Sequence, residues 1–387
     1  MSSEIGTIVV LAGGLSHERD VSLRSGRRVA QALRDRGHDV VESDVTAGLA
    51  DLLATTPDPV VFPVLHGGDG EDGALRTVLD LLGVPYVGSS GPASQRAFDK
   101  SICTPLVTVR KPEQVALPNS VFRELGAPAL VQSVVRQLGL PLMVKPSRSG
   151  SALGCTRVDR VEALPAALVA AFAYGELAVI ERFVAGTEVA VTVIDIGEGP
   201  RALPAVEIRP RAGVYDYTAR YTAGETRFIA PANITDENAE ACAAMGLAVH
   251  AELGLRDLSR TDIIIDADGP VFIETNVAPG MTETSLVPLA VEAAEALHAE
   301  GLIDAVDVFV GLDVGKGDFH AFTLDRAWVR VFDRTLPRDE HRLRAALPFP
   351  MARKPAGEKY RLKNVPRQGR PWAAEIVRAR SEQTRAE

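Results

Sequence analysis

Two apolar runs near the start of the chain stop at paired glycines, and this punctuation most limits what the chain can fold into. "TIVVLAGG", Thr7 to Gly14, is a β-branched run ending in two glycines. The next segment, "SHERDVSLRSGRRVAQALRDRG", spaces Val21, Leu23, Val29 and Leu33 as the apolar stripe of a helix that Gly37 terminates. "DVVESDV", "PVVFPVLHGG" and "GALRTVLDLLGVPYVG" repeat the alternation of short apolar strands and amphipathic helices. That order predicts a parallel sheet covered by helices over residues 1–101.

A second unit, 102–187, is helix-rich and then carries two strong strands, "PLMVKP" and "LAVIERFV", with the glycine-bearing loop "SRSGSALG" after the first. A third, 188–297, holds the strands "EVAVTVID" and "PAVEI", a tyrosine-rich polar loop, a helix around Ala239 to Leu253, and the strands "TDIIID" and "PVFIET". The chain's 387 residues, 46% hydrophobic and 24% charged, suffice for cores in two or three such domains. No internal repeat or low-complexity tract interrupts them.

Charge changes sign along the chain. The net charge is -9, yet residues 321–387 hold 16 Lys and Arg against 8 Asp and Glu. The acidic body argues against nucleic acid as its partner. The stretch from 298 onward is an atypical basic tail, and its proline-rich part is expected to be poorly ordered or loosely packed. No export signal is recognisable near the start, and no apolar run reaches the ~18 residues that span a bilayer. A cytoplasmic protein is the expectation. Cys103, Cys155 and Cys242 lack metal-ligand spacing, so a reduced compartment and an inert packing role are expected.

Several motifs carry chemistry. In "VKPSRSGSALG", Lys145 at a strand end precedes Gly150 and Gly154, the parts of a phosphate grip. G-x-x-x-x-G-K-[ST] is absent, and a flexible hairpin would carry the same glycines. Lys100 in "FDKS" is a second cation near a domain boundary, though a surface lysine would read the same way. Glu181 and Glu188 in "VIERFVAGTEVAV" either accept from a nucleoside or end a solvated hairpin.

The most specific stretch is "FIETNVAPGMTETSLVP". Glu274 and Asn276 leave one face of a strand, and an adjacent antiparallel strand would bring Asp262 of "SRTDIIID" to the same point. Such hard oxygen ligands suit Mg²⁺ bound with substrate phosphates. Arg260 shares the face of Asp262, and the Pro279-Gly280 turn could aim the Gly280 N–H at an oxyanion.

In this order and spacing, the motifs resemble the ATP-grasp superfamily and, within it, the D-alanine–D-alanine ligase family. The carrying segments are "LAGGLSHERDVSLRSG", "LHGGDGEDG", "VPYVGSS" with "AFDK", "LPLMVKPSRSGSALG", "IERFVAGTEVAV", "YDYTARYTAGETRF", "RTDIIID" and "IETNVAPGMTETSLVP". They cover about Thr7 to Glu295. The resemblance implies an α/β and α+β architecture: an N-terminal parallel domain followed by two α+β subdomains, 102–187 and 188–297, that hold ATP between them.

It also implies an ADP-forming carbon-nitrogen ligase that joins two D-alanines through an acylphosphate for peptidoglycan synthesis. Glu18 then matches the acid that holds the first substrate's amino group, His66 the histidine beside its carboxylate, and Ser151 with Tyr221 the link from Glu18 to a closing loop. Lys100 and Lys145 match phosphate-binding lysines. Glu181, Glu188 and the backbone of Arg182, Phe183 and Val184 match nucleoside contacts. Asp262, Glu274 and Asn276 match ligands of two Mg²⁺ or Mn²⁺ ions, Arg260 and Gly280 match oxyanion-stabilising groups, and Ser285 and Leu286 match contacts to the second D-alanine. A homodimer is implied as well.

Three departures stand out. Arg220 occupies the position of a family lysine beside the nucleotide, and Ala152 replaces a serine in the phosphate loop. The third is "GLDVGK" and its surroundings, which resemble the first strands of DEDD-type insertion-element transposases, with Asp313 at a catalytic metal-ligand position. That segment reads as a passenger joined in frame. A ligase with other amino-acid substrates, or an inactive ATP-grasp remnant, remains the alternative at this point.

Overall fold

The computed structural model describes residues 6–197, 199–211, 224–299, 319–324 and 330–336. Strands β1 (Ile8–Leu11), β2 (Val40–Ser43) and β3 (Val60–Pro63) form a parallel sheet in the order β2-β1-β3. Helices α1 (Arg19–Asp35), α2 (Leu49–Thr55) and α3 (Ala74–Leu81) connect and cover it. Alternation with period two explains the unbroken apolar run of β1: Ile8 and Val10 enter one core, while Val9 and Leu11 enter another on the opposite face. Helices α4 (Gly91–Phe98) and α5 (Lys100–Leu106) then lead out of this unit.

The second sheet is antiparallel. It contains β4 (Gln114–Pro118), β5 (Leu142–Pro146), β6 (Thr156–Val158) and β7 (Leu177–Arg182), in the order β4-β7-β5-β6. Helices α6 (Asn119–Leu125), α7 (Ala127–Leu138) and α8 (Leu164–Phe172) cover one face. The two strong strands expected from sequence are the central ones. Their edge partners β4 and β6 escaped notice because one ends in proline and the other has three residues, both habits of sheet edges.

The third sheet runs β11-β10-β8-β12-β13, from β8 (Thr187–Ile194), β10 (Val206–Pro210), β11 (Thr226–Ile229), β12 (Leu258–Asp266) and β13 (Gly269–Asn276), with β9 (Arg201–Ala202) attached to β8. Helix α9 (Asp236–Glu252) lies on one face, begun by Thr235, whose hydroxyl accepts from the Asn238 N–H. Helix α10 (Leu286–Ala299) lies on the other. A two-strand antiparallel ladder, β14 (Phe319–Leu324) with β15 (Arg330–Leu336), follows. No described helix is long and apolar enough to cross a membrane.

Two of the three sheets share a core. Leu286, Val287, Ala290, Val291 and Ala294 of α10 pack with Ile8 and Val10 of the first sheet and with Ala190, Ile194 and Val206 of the third. The second sheet has a core of its own, built from Leu142, Val144, Ala178 and Ile180 with Val131, Leu138, Leu164 and Leu168. Cys103 and Cys242 are buried in the core beneath α9, and burial pushes their thiols up to about 12 and about 11. Cys155 differs from the packing role expected of it: it is half-buried and lines a cleft.

A polar clip also joins the first and third sheets. The Gly88 N–H donates to Asp257 Oδ2 at 2.8 Å, and Arg256 Nε donates to the Gly88 carbonyl at 2.6 Å. The Arg256 guanidinium lies 4.9 Å from the centre of the Tyr86 ring. Asp257 holds a left-handed backbone, φ 64°, to reach this position. Asp257→Ala keeps the strained backbone and strands a buried amide, so we expect it to lower unfolding free energy by about 1–3 kcal/mol in urea denaturation. A loss below about 0.5 kcal/mol, the range of neutral surface changes, would contradict this account of the clip.

Candidate active site

Strand parity places the charged residues of the second sheet in a cleft. Leu142 and Val144 of β5 face the helices, so Met143 and Lys145 face the other way, as Glu181 does on the neighbouring β7. Lys145 Nζ lies 2.7 Å from Glu181 Oε1, and both residues are buried. Burial opposes the lysine's charge, but Glu181 and Glu274 more than offset it and hold the ammonium above its ordinary pKa. The cleft, of about 430 Å³, is also lined by Lys100, Phe183, Val184, Glu188, Asp262 and Glu274.

A bulge arranges the opposite wall. Asp262 of β12 pairs with Glu274 of β13, but the next residue, Ile263, pairs with Phe272, leaving Ile273 as the extra residue. Without the bulge, Phe272 and Glu274 would share a face. With it, Phe272 enters the core while Ile273 and Glu274 both line the cleft. This is why a buried apolar strand can end in oxygen donors. Sequence reasoning grouped Glu274, Asn276 and Asp262 but carried no signal for the bulge.

Arg260 grips Asp262 bidentately, Nε to Oδ1 at 2.7 Å and Nη2 to Oδ2 at 2.8 Å. Asn276 Nδ2 donates to Asp262 Oδ2 at 3.4 Å. Lys100 Nζ lies 3.2 Å from Glu274 Oε2 and donates to the Ser149 carbonyl at 2.8 Å, which ties the phosphate loop to this wall. Among the described residues, no group of three or more His, Cys, Asp or Glu could hold a metal alone. Two carboxylates and an amide oxygen do fit Mg²⁺, which completes its shell with phosphates and water.

A second cavity, about 180 Å³, adjoins this wall. Its lining includes Glu18, His66, Glu71, Ser151, Arg260 and Asn276, and the turn 278–286 with Gly280, Ser285 and Leu286 closes it. Glu18 immediately precedes α1, and its carboxylate bonds to the Ser151 hydroxyl. A Cβ on Gly150 would come within 2.7 Å of Glu18 Oε2, so a side chain there would push the Glu18 carboxylate from its place. Ser151 and Ala152 both adopt left-handed backbone, at φ 53° and 57°, a conformation that costs side-chain-bearing residues about 1–3 kcal/mol each and concentrates at ligand clamps.

His66 is fully engaged. Its Nδ1–H donates to the Ala278 carbonyl at 2.9 Å, and burial pushes its pKa below the ordinary value, so the ring is neutral. Nε2 therefore accepts from the Ser25 hydroxyl at 3.2 Å, and Ser25 Oγ in turn accepts from the Met281 N–H at 3.1 Å. The histidine fastens the 278–281 turn to α1. The backbone expected to form a nucleoside hinge is partly engaged within the fold: Arg182 N–H donates to the Glu113 carbonyl and Phe183 N–H to that of Pro141. Arg220, Tyr221 and Asp313 lie outside the described residues. Glu71 escaped the sequence reading, although an acid between the glycines of "LHGGDGEDG", close after a buried strand, was its signal.

Comparison with known proteins places this geometry. The family described as "D-ala D-ala ligase C-terminus" matches residues 115–306, and "D-ala D-ala ligase N-terminus" matches 47–89. A D-alanine–D-alanine ligase of Fervidobacterium nodosum is 38% identical over 305 residues, covering 77% of this chain and 96% of the relative. One from an Anaeromyxobacter species is 41% identical, covering 73% and 89%. Among solved structures, a D-alanine–D-alanine ligase from Bacillus anthracis complexed with ATP is 26% identical with a TM-score of 0.62, covering 75% of this chain and 92% of that one. The VanG D-Ala:D-Ser ligase from Enterococcus faecalis is 27% identical with a TM-score of 0.64, covering 74% and 94%.

The buried Lys145–Glu181 pair separates stability from function. Lys145→Ala strands a buried carboxylate and is expected to cost about 3–5 kcal/mol in chemical denaturation, whereas Lys145→Met with Glu181→Leu should regain most of it. Both variants should lose nucleotide binding measured by calorimetry. Full binding by the double variant would remove the pair from the nucleotide site.

Proposed function

The chain belongs to the D-alanine–D-alanine ligase family, and from that membership we propose how its two cavities divide one reaction. It is an ATP-dependent, ADP-forming ligase that joins two molecules of D-alanine for peptidoglycan synthesis. The larger cleft receives ATP and the smaller cavity receives the amino acids. The observation that carries this division is the shared wall: Arg260 and Asn276 line the amino-acid cavity, while Asp262 and Glu274, on the same two strands, line the cleft.

In this reading Lys100 and Lys145 neutralise the phosphates, Glu181, Glu188 and the hinge at Arg182, Phe183 and Val184 hold the nucleoside, and Arg220 is assigned to the nucleotide by the family resemblance alone. Glu18 binds the first D-alanine's ammonium. Its position, set by α1, Gly150 and Ser151, points that substrate's carboxylate toward the wall where the γ-phosphate is transferred. Asp262, Glu274 and Asn276 would hold two Mg²⁺ or Mn²⁺ ions, which supply charge neutralisation on the phosphates.

The amine of the second D-alanine, placed by Ser285 and Leu286, then attacks the acylphosphate carbonyl, and the oxyanion is met by Arg260 and the Gly280 N–H. His66 keeps the Gly280 turn in register through Ala278. Tyr221 belongs to the loop that would shut water out. The reading extends to a homodimer and to the cytoplasm, where ATP is available. It takes 1–101, 102–187 and 188–297 as the three working units and the transposase-like tail as a passenger.

Phosphate release from ATP that depends on D-alanine, with the dipeptide identified by mass spectrometry, is the expected result for the full chain. Glu274→Gln should retain the folded circular dichroism spectrum and lose more than about 100-fold in turnover, beyond the 10–100-fold typical of a metal ligand's outer-shell partners. Full activity in that variant would sink the assignment of the wall.

A further inference from the structure

Three residues on three adjacent strands form a row across the larger cleft. Met143 of β5 pairs with Glu181 of β7 on one side and with Arg157 of β6 on the other, and all three line the cleft. Residues paired across neighbouring strands share a face. A flat group lying on Met143 therefore has the acceptor Glu181 on one side and the donor Arg157 on the other. The two are separated by two strand spacings, about 10 Å, which leaves room between their side chains for a nucleobase.

Arg157 is exposed, yet it is held in one pose. Its guanidinium carbon lies 4.3 Å from the centre of the Phe183 ring, and Phe183 lines the same cleft. Nε and Nη2 both donate to Asp159 Oδ1, at 3.0 and 2.8 Å. An exposed ion pair of this kind adds little stability. Two bonds to one oxygen do fix the plane of the guanidinium, and three of its five N–H groups have no acceptor among the described residues. Lys145 lies two residues along β5 from Met143, about 7 Å away, so Arg157 stands at the end of the cleft away from the phosphate loop.

We propose that Arg157 is a nucleotide-recognition residue which, stacked on Phe183, forms the end wall of the pocket for the purine base. This rests on the reading of the cleft as the ATP site. The planar cation extends the aromatic surface of Phe183 and offers its free N–H groups to the ring nitrogens of the base, while Glu181 accepts from the amino group on another edge. Adenine, with a donor on one edge and acceptors on others, satisfies both. The contact is made to the base and owes nothing to the charge of the phosphates.

Arg157→Ala in the full chain should raise the KM for ATP by about 3- to 30-fold, the range spanned by cation–π contacts, while kcat and the KM for D-alanine stay nearly unchanged. That split also reports correct folding. Calorimetry with ATP and with inorganic tripolyphosphate, each with Mg²⁺, separates base from phosphate. The variant should bind ATP more weakly by the same factor and bind tripolyphosphate as the unmodified chain does. Equal weakening of both ligands would make Arg157 a counter-charge for phosphate, and unchanged ATP binding would make it an ordinary surface residue; either result overturns the proposal. If the unmodified chain binds no ATP, the reading of the cleft itself fails and takes the proposal with it.

Discussion

The site depends on charges held out of water. Lys145 with Glu181 and Arg260 with Asp262 are each less than a tenth exposed, with nitrogen and oxygen 2.7 Å apart. A buried pair of this kind is weak support for stability, because apolar residues of similar volume often serve as well or better. Its merit here is different. Preformed cations in a low-dielectric cleft need little rearrangement when a polyphosphate enters, and their attraction for it is less screened than at the surface. The counter-carboxylates keep those cations in place between the two sheets.

How legible this was depended on parity. The central strands of each sheet and the parallel first sheet follow from period-two and period-3.6 patterns that the sequence displays openly, whereas the short edge strands do not. The grouping of Asp262, Glu274 and Asn276 follows as well. The step that parity cannot supply is the extra residue Ile273, because a bulge changes which face a side chain takes without changing the residue types around it. Glu71 was opaque for a related reason. Its chemistry comes from burial among Glu18, Arg76 and Arg260, residues up to 189 positions away in sequence, and a lone acid in a glycine-rich turn reads locally as a solvated one.

The end of the family match coincides with a change in composition. The family match stops at residue 306, and the sign of the charge reverses shortly beyond it. Helix α10 lies at that border, and its position explains why the border matters. Its first residue, Leu286, lines the smaller cavity, while its body fills the core beneath β1 and β8. Whatever follows residue 299 therefore continues directly from a helix that the site and two sheets both require.

The distribution of cores also fixes where the molecule can hinge. The first and third sheets are welded by α10 and by the Arg256–Asp257 clip, so separating them would expose apolar surface and strand buried amides. The second sheet owes its core to its own helices. Swinging it away from the rest disturbs the fewest apolar contacts and opens the nucleotide cleft along its length. In mechanical terms the second sheet is the separable half of the cleft, and Lys145 and the glycine loop belong to that half.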